Sequence, residues 1–404
     1  MKRILTVLPL LLISTFILRA EDNVFYRVLD ELVKDCPEIQ VIKAANLASI
    51  ETERAVNRIA SPEVEVEQVW GRHGVGNKFD VGVSQSFDWP GLYRQRAKMI
   101  DAQSNANLLM EQSSLLEKTL QVKLLMVDII FQKKNLHLAN MMNDHAIQLE
   151  KATKEAYERG EISKLEFKRT ELERIQTSIQ LREAQRILDE MYAELTAATG
   201  KENCVSLMAQ VSDVPSWGIK SEEEYEDILK QIDPRMRYLQ ATIQAIEETG
   251  KSEKMATGYP VFSVGYVYQR EQWETFNGFN VSMSLPIYGT SNVRRASKAN
   301  VIAAQLEAQA EQISLLSKMR NQRNAALSLA HELNDYSSIF EAGNYSQLLK
   351  LALEGGETDN IHYLQELNFY VEVTRQYIEL QHQYNLSLVN LNRHDLTDSV
   401  VAAQ

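Results

Sequence analysis

The stretch of this chain nearest to a metalloprotease helix is His331-Glu332-Leu333-Asn334-Asp335, and it fails. Asp335 stands where a second zinc-binding histidine would have to be. Gly71, Gly74 and Gly76 have neither the dinucleotide-binding spacing nor a following helix, and there is no P-loop and no G-x-S-x-G elbow. The seven histidines are scattered and read as solvated helix positions rather than ligands. Met141, Met142 and His145 could hold a soft metal in passing, but methionine in a helix seam more often packs. Cys36 and Cys204 could pair in an oxidising compartment, although nothing in the sequence sets their distance. No catalytic residue, metal site or cofactor is therefore expected. Whatever the chain does, its elements must do it by shape and surface.

The 404 residues carry 43 Lys and Arg against 55 Asp and Glu, a net charge of −12. That balance argues against nucleic acid as a partner. An apolar share of 44% fits a folded protein, and the length suggests roughly two or three ordinary domains. Two cysteines exclude a disulfide-knotted or Cys-rich zinc scaffold. Lys2 and Arg3, an apolar run from Ile4 to Leu18, and Ala20 before Glu21 predict a secretory signal over 1–20. An N-terminal anchor is the alternative, disfavoured by Pro9 and by a run short of the ~20 residues that span a bilayer. Losing Lys2, Arg3 and Arg19 with the signal would leave −15. No later run approaches the length of a helical span, so any membrane crossing would have to be by strands.

The rest reads as one unit written twice. Cys36-Pro37 recurs as Asp233-Pro234, Ser61-Pro62 as Tyr259-Pro260, Trp89-Pro90 as Leu285-Pro286, and Arg159-Gly160-Glu161 as Gly355-Gly356-Glu357. The offsets are 197, 198, 196 and 196 residues. The predicted halves are 21–210 and 211–404, each a helix, two strands, a long helix, a glycine break and a return helix.

In the first half, strands are expected at about 62–70 and 77–89; in the second, at about 260–270 and 277–287. Phe79, Val81, Val83, Phe87 and Trp89 alternate with polar residues, as do Phe279, Val281, Met283, Leu285 and Ile287. Phe262, Val264, Tyr266 and Tyr268 alternate on a partner strand, and Val64, Val66 and Trp70 do so less cleanly. Period-two alternation means one apolar and one wet face. A soluble sandwich would alternate too. Three features favour a membrane barrel: the strand length, short polar loops at Gly71 to Asn77 and Glu271 to Gly278, and aromatics near strand ends. Those aromatics are Trp70, Phe79, Phe87, Trp89, Tyr259, Tyr266 and Tyr268. The residues expected to face lipid are Phe79, Val81, Val83, Phe87, Trp89, Phe262, Tyr266, Phe279, Val281 and Leu285. Four strands cannot close a barrel, so a membrane-spanning reading demands several copies.

From Leu92 to about Glu158 there is neither Pro nor Gly, enough for roughly 100 Å of helix. Asn292 to Leu353, with Gly343 alone, would give about 90 Å. Leu108, Leu115, Val122, Ile129 and Leu136 fall every seven residues, a heptad seam, and Leu188, Met191 and Leu195 make a second one. Return helices are expected at Ser163 to Ala198 and from Asn360 to about Asn392. Gly160 reads as a left-handed helix end and Ser163-x-x-Glu166 as a capping box. Gly355-Gly356 before Thr358 and Asp359 repeats the arrangement.

This order, with the Cys-Pro-Glu-Ile helix start, the Trp89-Pro90 exit, the Tyr157–Ser163 turn and its duplication at Leu285-Pro286 and Gly356, resembles the TolC-like outer membrane efflux proteins over nearly all of 24–395. The resemblance implies a homotrimer in the cell outer membrane. A 12-stranded β-barrel, four strands per chain, would continue into a long α-helical barrel in the periplasm. It implies a passive exit channel of a tripartite efflux system, partnered by a periplasmic adaptor, an inner-membrane transporter and outer membrane lipid. The tips that meet the adaptor would be Arg159, Gly160, Glu161, Gly355, Gly356 and Glu357. Related proteins close the tip just past the second turn; a basic residue that some carry there is missing, and Glu357 with Asp359 would make an acidic constriction. The acidic charge could line the lumen or coat the outside of the tube. The competing reading is a periplasmic coiled-coil adaptor or scaffold, which leaves the amphipathic strands unexplained.

Overall fold

A computed structural model describes residues 24–34, 36–72, 76–272, 274–286, 290–340, 345–358 and 360–396. The expected signal and anchor alternatives, together with Ile287, Gly343 and Asp359, lie outside the described residues.

A short helix α1 at 24–33 precedes α2 (Pro37–Val56), β1 (Glu63–Trp70), β2 (Asn77–Phe87), α3 (Pro90–Glu158) and α4 (Lys164–Thr199). After α5 (Cys204–Met208) and α6 (Glu222–Gln231), the order resumes with α7 (Pro234–Gly258), β3 (Val261–Glu271), β4 (Glu274–Ser284), α8 (Thr290–Phe340), α9 (Tyr345–Glu354) and α10 (Asn360–Leu391). A 3₁₀ turn, Arg393–Leu396, ends the described chain. The prolines sit where the chain changes direction. Pro37, Pro90 and Pro234 open helices, a first-turn position at which a missing N–H costs nothing. Asp233 caps α7 by accepting from the Arg235 amide at 2.9 Å.

The chain forms two compact units. One holds the described residues of 41–114 and 230–315, the other those of 1–40, 115–229 and 316–404, so each draws on both predicted halves.

In the first unit the four strands form one antiparallel sheet in the order β1-β2-β3-β4. Its helical part packs through small residues: Ala102, Ala106 and Leu109 of α3 bury against Ala241 and Ala245 of α7.

In the second unit the core gathers Phe25, Leu29, Leu32, Met126, Ile129, Ile130, Phe131, Leu195, Met208 and Leu388. Further along α3, Met142 and Leu149 pack on Tyr363, Leu367 and Val371 of α10. A buried Thr153–Thr170 hydroxyl pair, 2.8 Å apart, ties α3 to α4. Both cysteines are buried free thiols: Cys36 donates to the Ala198 carbonyl at 3.2 Å and Cys204 to that of Lys201 at 2.9 Å.

Three expectations need correction. The heptad seam on α3 is real only at its centre, where Val122 and Ile129 are fully buried; Leu108 is 50% exposed. A straight helix drifts about 20° per heptad against a seven-residue repeat, so the stripe walks off the core. Burial instead follows Ala102, Ala106, Leu109, Leu116 and Leu120. The loop expected over Glu271 to Gly278 is much shorter, because β3 runs to Glu271 and β4 already begins at Glu274. With β3 running on to Glu271, Tyr266 lies at mid-strand, paired with Phe279, and not near a strand end.

Candidate functional site

The sheet register sorts the side chains. In an antiparallel pair, directly opposed residues share a face. Val64 lies opposite Val83 and Val66 opposite Val81. Val81, Val83 and Phe87 oppose Tyr268, Tyr266 and Phe262. Phe262, Val264 and Tyr266 oppose Met283, Val281 and Phe279. One face therefore carries all of these apolar residues together with Phe79 and Trp70, with Arg270 as its single charge. The other face carries Glu63, Glu65, Glu67, Lys78, Asp80, Glu271 and Glu274 among Ser, Gly, Gln269 and Asn280, with Val69, Val261, Val267 and Phe276 scattered between them.

Among the described residues the apolar face is left largely uncovered, with Phe79, Val81, Phe262 and Tyr268 half-buried. Phe279 is 85% exposed, Trp70 76% and Val281 72%. A contiguous uncovered apolar surface of this kind marks a protein or membrane contact. The edges are open as well: among the described residues β1 and β4 each pair with one neighbour. Of the residues expected to face lipid, Phe79, Val81, Val83, Phe87, Phe262, Tyr266, Phe279 and Val281 share this face. Trp89 and Leu285 lie just beyond the ends of β2 and β4, on the side where the strands meet helices. Trp89 stacks on Tyr259 at 5.4 Å and lies 6.2 Å from Phe262, an aromatic cluster at that level. No described helix is long and apolar enough to cross a membrane.

The two glycine turns are built alike. At the end of α3, the Gly160 amide donates to Tyr157 O and the Glu161 amide to Ala156 O, each at 2.9 Å. After α9, Gly356 donates to Leu353 O at 3.1 Å and Glu357 to Ala352 O at 2.9 Å. These are paired Schellman closures, and both need a left-handed residue: φ is +76° at Gly160 and +73° at Gly356. The capping box is present too, Ser163 accepting from the Glu166 amide at 3.2 Å while Glu166 accepts from the Ser163 amide at 2.7 Å. Arg159 grips Glu161 with two hydrogen bonds of 2.7 and 2.9 Å, which hold the Glu161 carboxyl below the usual carboxylate range. Gly355, Gly356 and Glu357 are all exposed at the second turn, and Asp359 lies outside the described residues.

Sequence reasoning missed Lys123. It is fully buried, its Nζ has no hydrogen-bond partner among the described residues, and it lies over the rings of Trp217 and Tyr26 at 4.7 and 5.3 Å. Burial pushes its pKa from 10.5 to about 8, against a smaller opposing pull from Asp395. A second missed feature, the capping box of Ser221 and Glu224 opening α6, was legible as S-x-x-E. Among the described residues no cluster of three or more metal-binding side chains occurs.

No family model matches the chain, and no curated protein matches it. Solved structures do. The CmeC outer membrane channel of Campylobacter jejuni aligns over 92% of this chain and 85% of its own, with TM-score 0.72 and 13% identity. The outer membrane protein VceC of Vibrio cholerae aligns over 93% and 97%, with TM-score 0.70 and 12% identity. The open MtrE outer membrane channel of Neisseria gonorrhoeae covers 92% and 88%, with TM-score 0.69 and 12% identity. At such identity the likeness is one of fold, and it spans the length of both partners: this chain has the fold of the TolC-like outer membrane channels.

Proposed function

We propose that this protein is the outer membrane exit channel of a tripartite efflux system, conducting substrate passively from a pump and adaptor to the outside. The observation that carries the reading is the uncovered one-sided apolar face of a four-stranded sheet with two open edges. Unpaired edges cannot sit in lipid, so copies must join β1 of one to β4 of the next until the ring closes. Four strands are too few to enclose a lumen and twelve suffice, which favours a trimer. Strands of 11 residues run about 36 Å, or roughly 28 Å of height at a 40° tilt, close to the hydrocarbon thickness. The helices belong in the periplasm. The turns at Arg159, Gly160 and Glu161 and at Gly355, Gly356 and Glu357 would meet the adaptor, with Glu357 and Asp359 narrowing the entrance.

The likeness of the two Schellman turns supports the reading of 21–210 and 211–404 as a duplication. So does a charge-swapped pair. Glu38, in the first turn of α2, salt-bridges Lys118, and Arg235, in the first turn of α7, bridges Glu311 at 3.3 Å.

Cell fractionation with planar-bilayer recording tests the function. The protein should require detergent for extraction and should form discrete channels, and Glu357→Ala with Asp359→Ala should raise their conductance. Release by carbonate without channels would return the adaptor reading.

A further inference from the structure

Between α7, which leads into β3, and α8, which follows β4, the first unit holds an open groove of about 440 Å³ with a charge unlike that of the chain as a whole. Lys251 and Lys254 reach it from α7, and Arg294, Arg295 and Lys298 from α8. Glu247 also lines it, and Lys251 pairs with Glu248 at 2.6 Å. Lys254, Arg294, Arg295 and Lys298 have no carboxylate partner among the described residues.

The crowding is built in. A Cβ at Gly250 would stand 1.9 Å from Ser297 Oγ, so glycine there lets the two helices approach and forces their cations together. Five cations against Glu247 in the groove, with Glu248 taken up by Lys251, leave a net positive charge that a bound anion would relieve.

The level of the groove says which anion. Lys254, Arg294 and Arg295 lie four or five residues, roughly 6–8 Å, from the strand-side ends of α7 and α8, and Lys251 and Lys298 lie seven or eight residues away, roughly 10–12 Å, a span their long side chains can reach across. The headgroup layer extends about 5–8 Å beyond the hydrocarbon. Trp89 and Tyr259, stacked at the strand–helix junction, are the residue types that settle at that boundary.

We propose that Lys251, Lys254, Arg294, Arg295 and Lys298 form a phosphate-binding groove that takes the headgroup of an anionic phospholipid at the periplasmic face of the barrel. The inference rests on the membrane-spanning reading above, and gives the assembly a fixed depth and a lipid-dependent stability. Charge attraction brings the lipid in, and the guanidinium forks of Arg294 and Arg295 suit paired phosphate oxygens.

The test uses the whole assembly in neutral detergent, melted with added phosphatidylglycerol, phosphatidylcholine or inorganic phosphate. Phosphatidylglycerol should raise the melting temperature by about 2–4 °C, and the other two should leave it unchanged. The triple variant Arg294→Gln, Arg295→Gln, Lys298→Gln should weaken the phosphatidylglycerol response about 100-fold while keeping its oligomeric state and conductance. The milder Lys254→Gln should weaken it about five-fold.

An equal rise with phosphatidylcholine overturns the proposal. So does an equal rise with inorganic phosphate, which would mean a free-anion site. Dissociation of the triple variant also overturns it, since the cations would then be pairing with carboxylates of a neighbouring copy. Wild-type channels without lipid preference sink this inference alone, whereas failure to enter a bilayer sinks the reading beneath it.

Discussion

Replacing Lys123 with Met should stabilise the protein at neutral pH. The ammonium is enclosed by aromatic rings with no hydrogen bond to compensate for lost hydration. Moving its titration from 10.5 to about 8 corresponds to ~3 kcal/mol against the charged folded state. The cation–π contacts return about 1–2 kcal/mol of that, leaving a net gain on the order of 1–2 kcal/mol for an apolar chain of similar length. The pH dependence follows from the sign. A lysine whose folded pKa is depressed binds its proton less readily in the folded protein than in the unfolded chain. Between about pH 8 and 10.5 the unfolded chain therefore holds more protons, and stability climbs with pH across that window. Circular dichroism melts in detergent at one scan rate provide the assay. Wild type should gain stability from pH 7.5 to pH 9.5 relative to Lys123→Met, which should melt higher at neutral pH and lack that rise. A variant that melts several degrees lower at neutral pH would refute the reasoning, because Lys123 would then be held by a partner worth more than its burial costs.

Val281→Arg, on the apolar face, should cost ~2–4 kcal/mol of folding in lipid vesicles, whereas Ser282→Arg on the opposite face should fold normally; band-shift electrophoresis reads both. Gly160→Ala and Gly356→Ala should each cost about 1–2 kcal/mol through backbone strain alone, since nothing lies within 4 Å of the added methyl. Faster amide exchange confined to the last turns of α3 and α9 would confirm this. Ser163→Ala should cost about 1 kcal/mol and loosen the first turn of α4 in the same measurement. Glu63→Gln with Glu65→Gln and Glu67→Gln should reduce the preference of reconstituted channels for cations, read as a shift in reversal potential under a salt gradient.

Features written in consecutive residues were legible in the sequence. The alternation of Phe79, Val81 and Val83 located β2, and Gly160 with Ser163 and Glu166 marked the turn and its cap. Features that depend on phase or distance were not. Phe276 is out of step with Phe279 and Val281, so the start of β4 read as loop, although backbone pairing with β3 carries the strand through it. Leu108 belongs to the heptad count but not to the core, because helical drift is a property of the folded helix. Lys123 resembles any solvated helix lysine until Tyr26 and Trp217, about a hundred residues away on either side, close over it. The basic groove joins residues over forty positions apart through Gly250, whose role appears only in its approach to Ser297.

Cysteine cross-linking between the open edges tests the central claim most directly. Single cysteines placed along β1, such as Val66→Cys, are combined with single cysteines along β4, such as Val281→Cys, and oxidised in membranes. If strands from several copies close one barrel, some pairs must join β1 of one copy to β4 of the next, giving covalent species up to three chains and no larger. A chain that stays monomeric for every pair, or cross-links only within itself, would contradict the account.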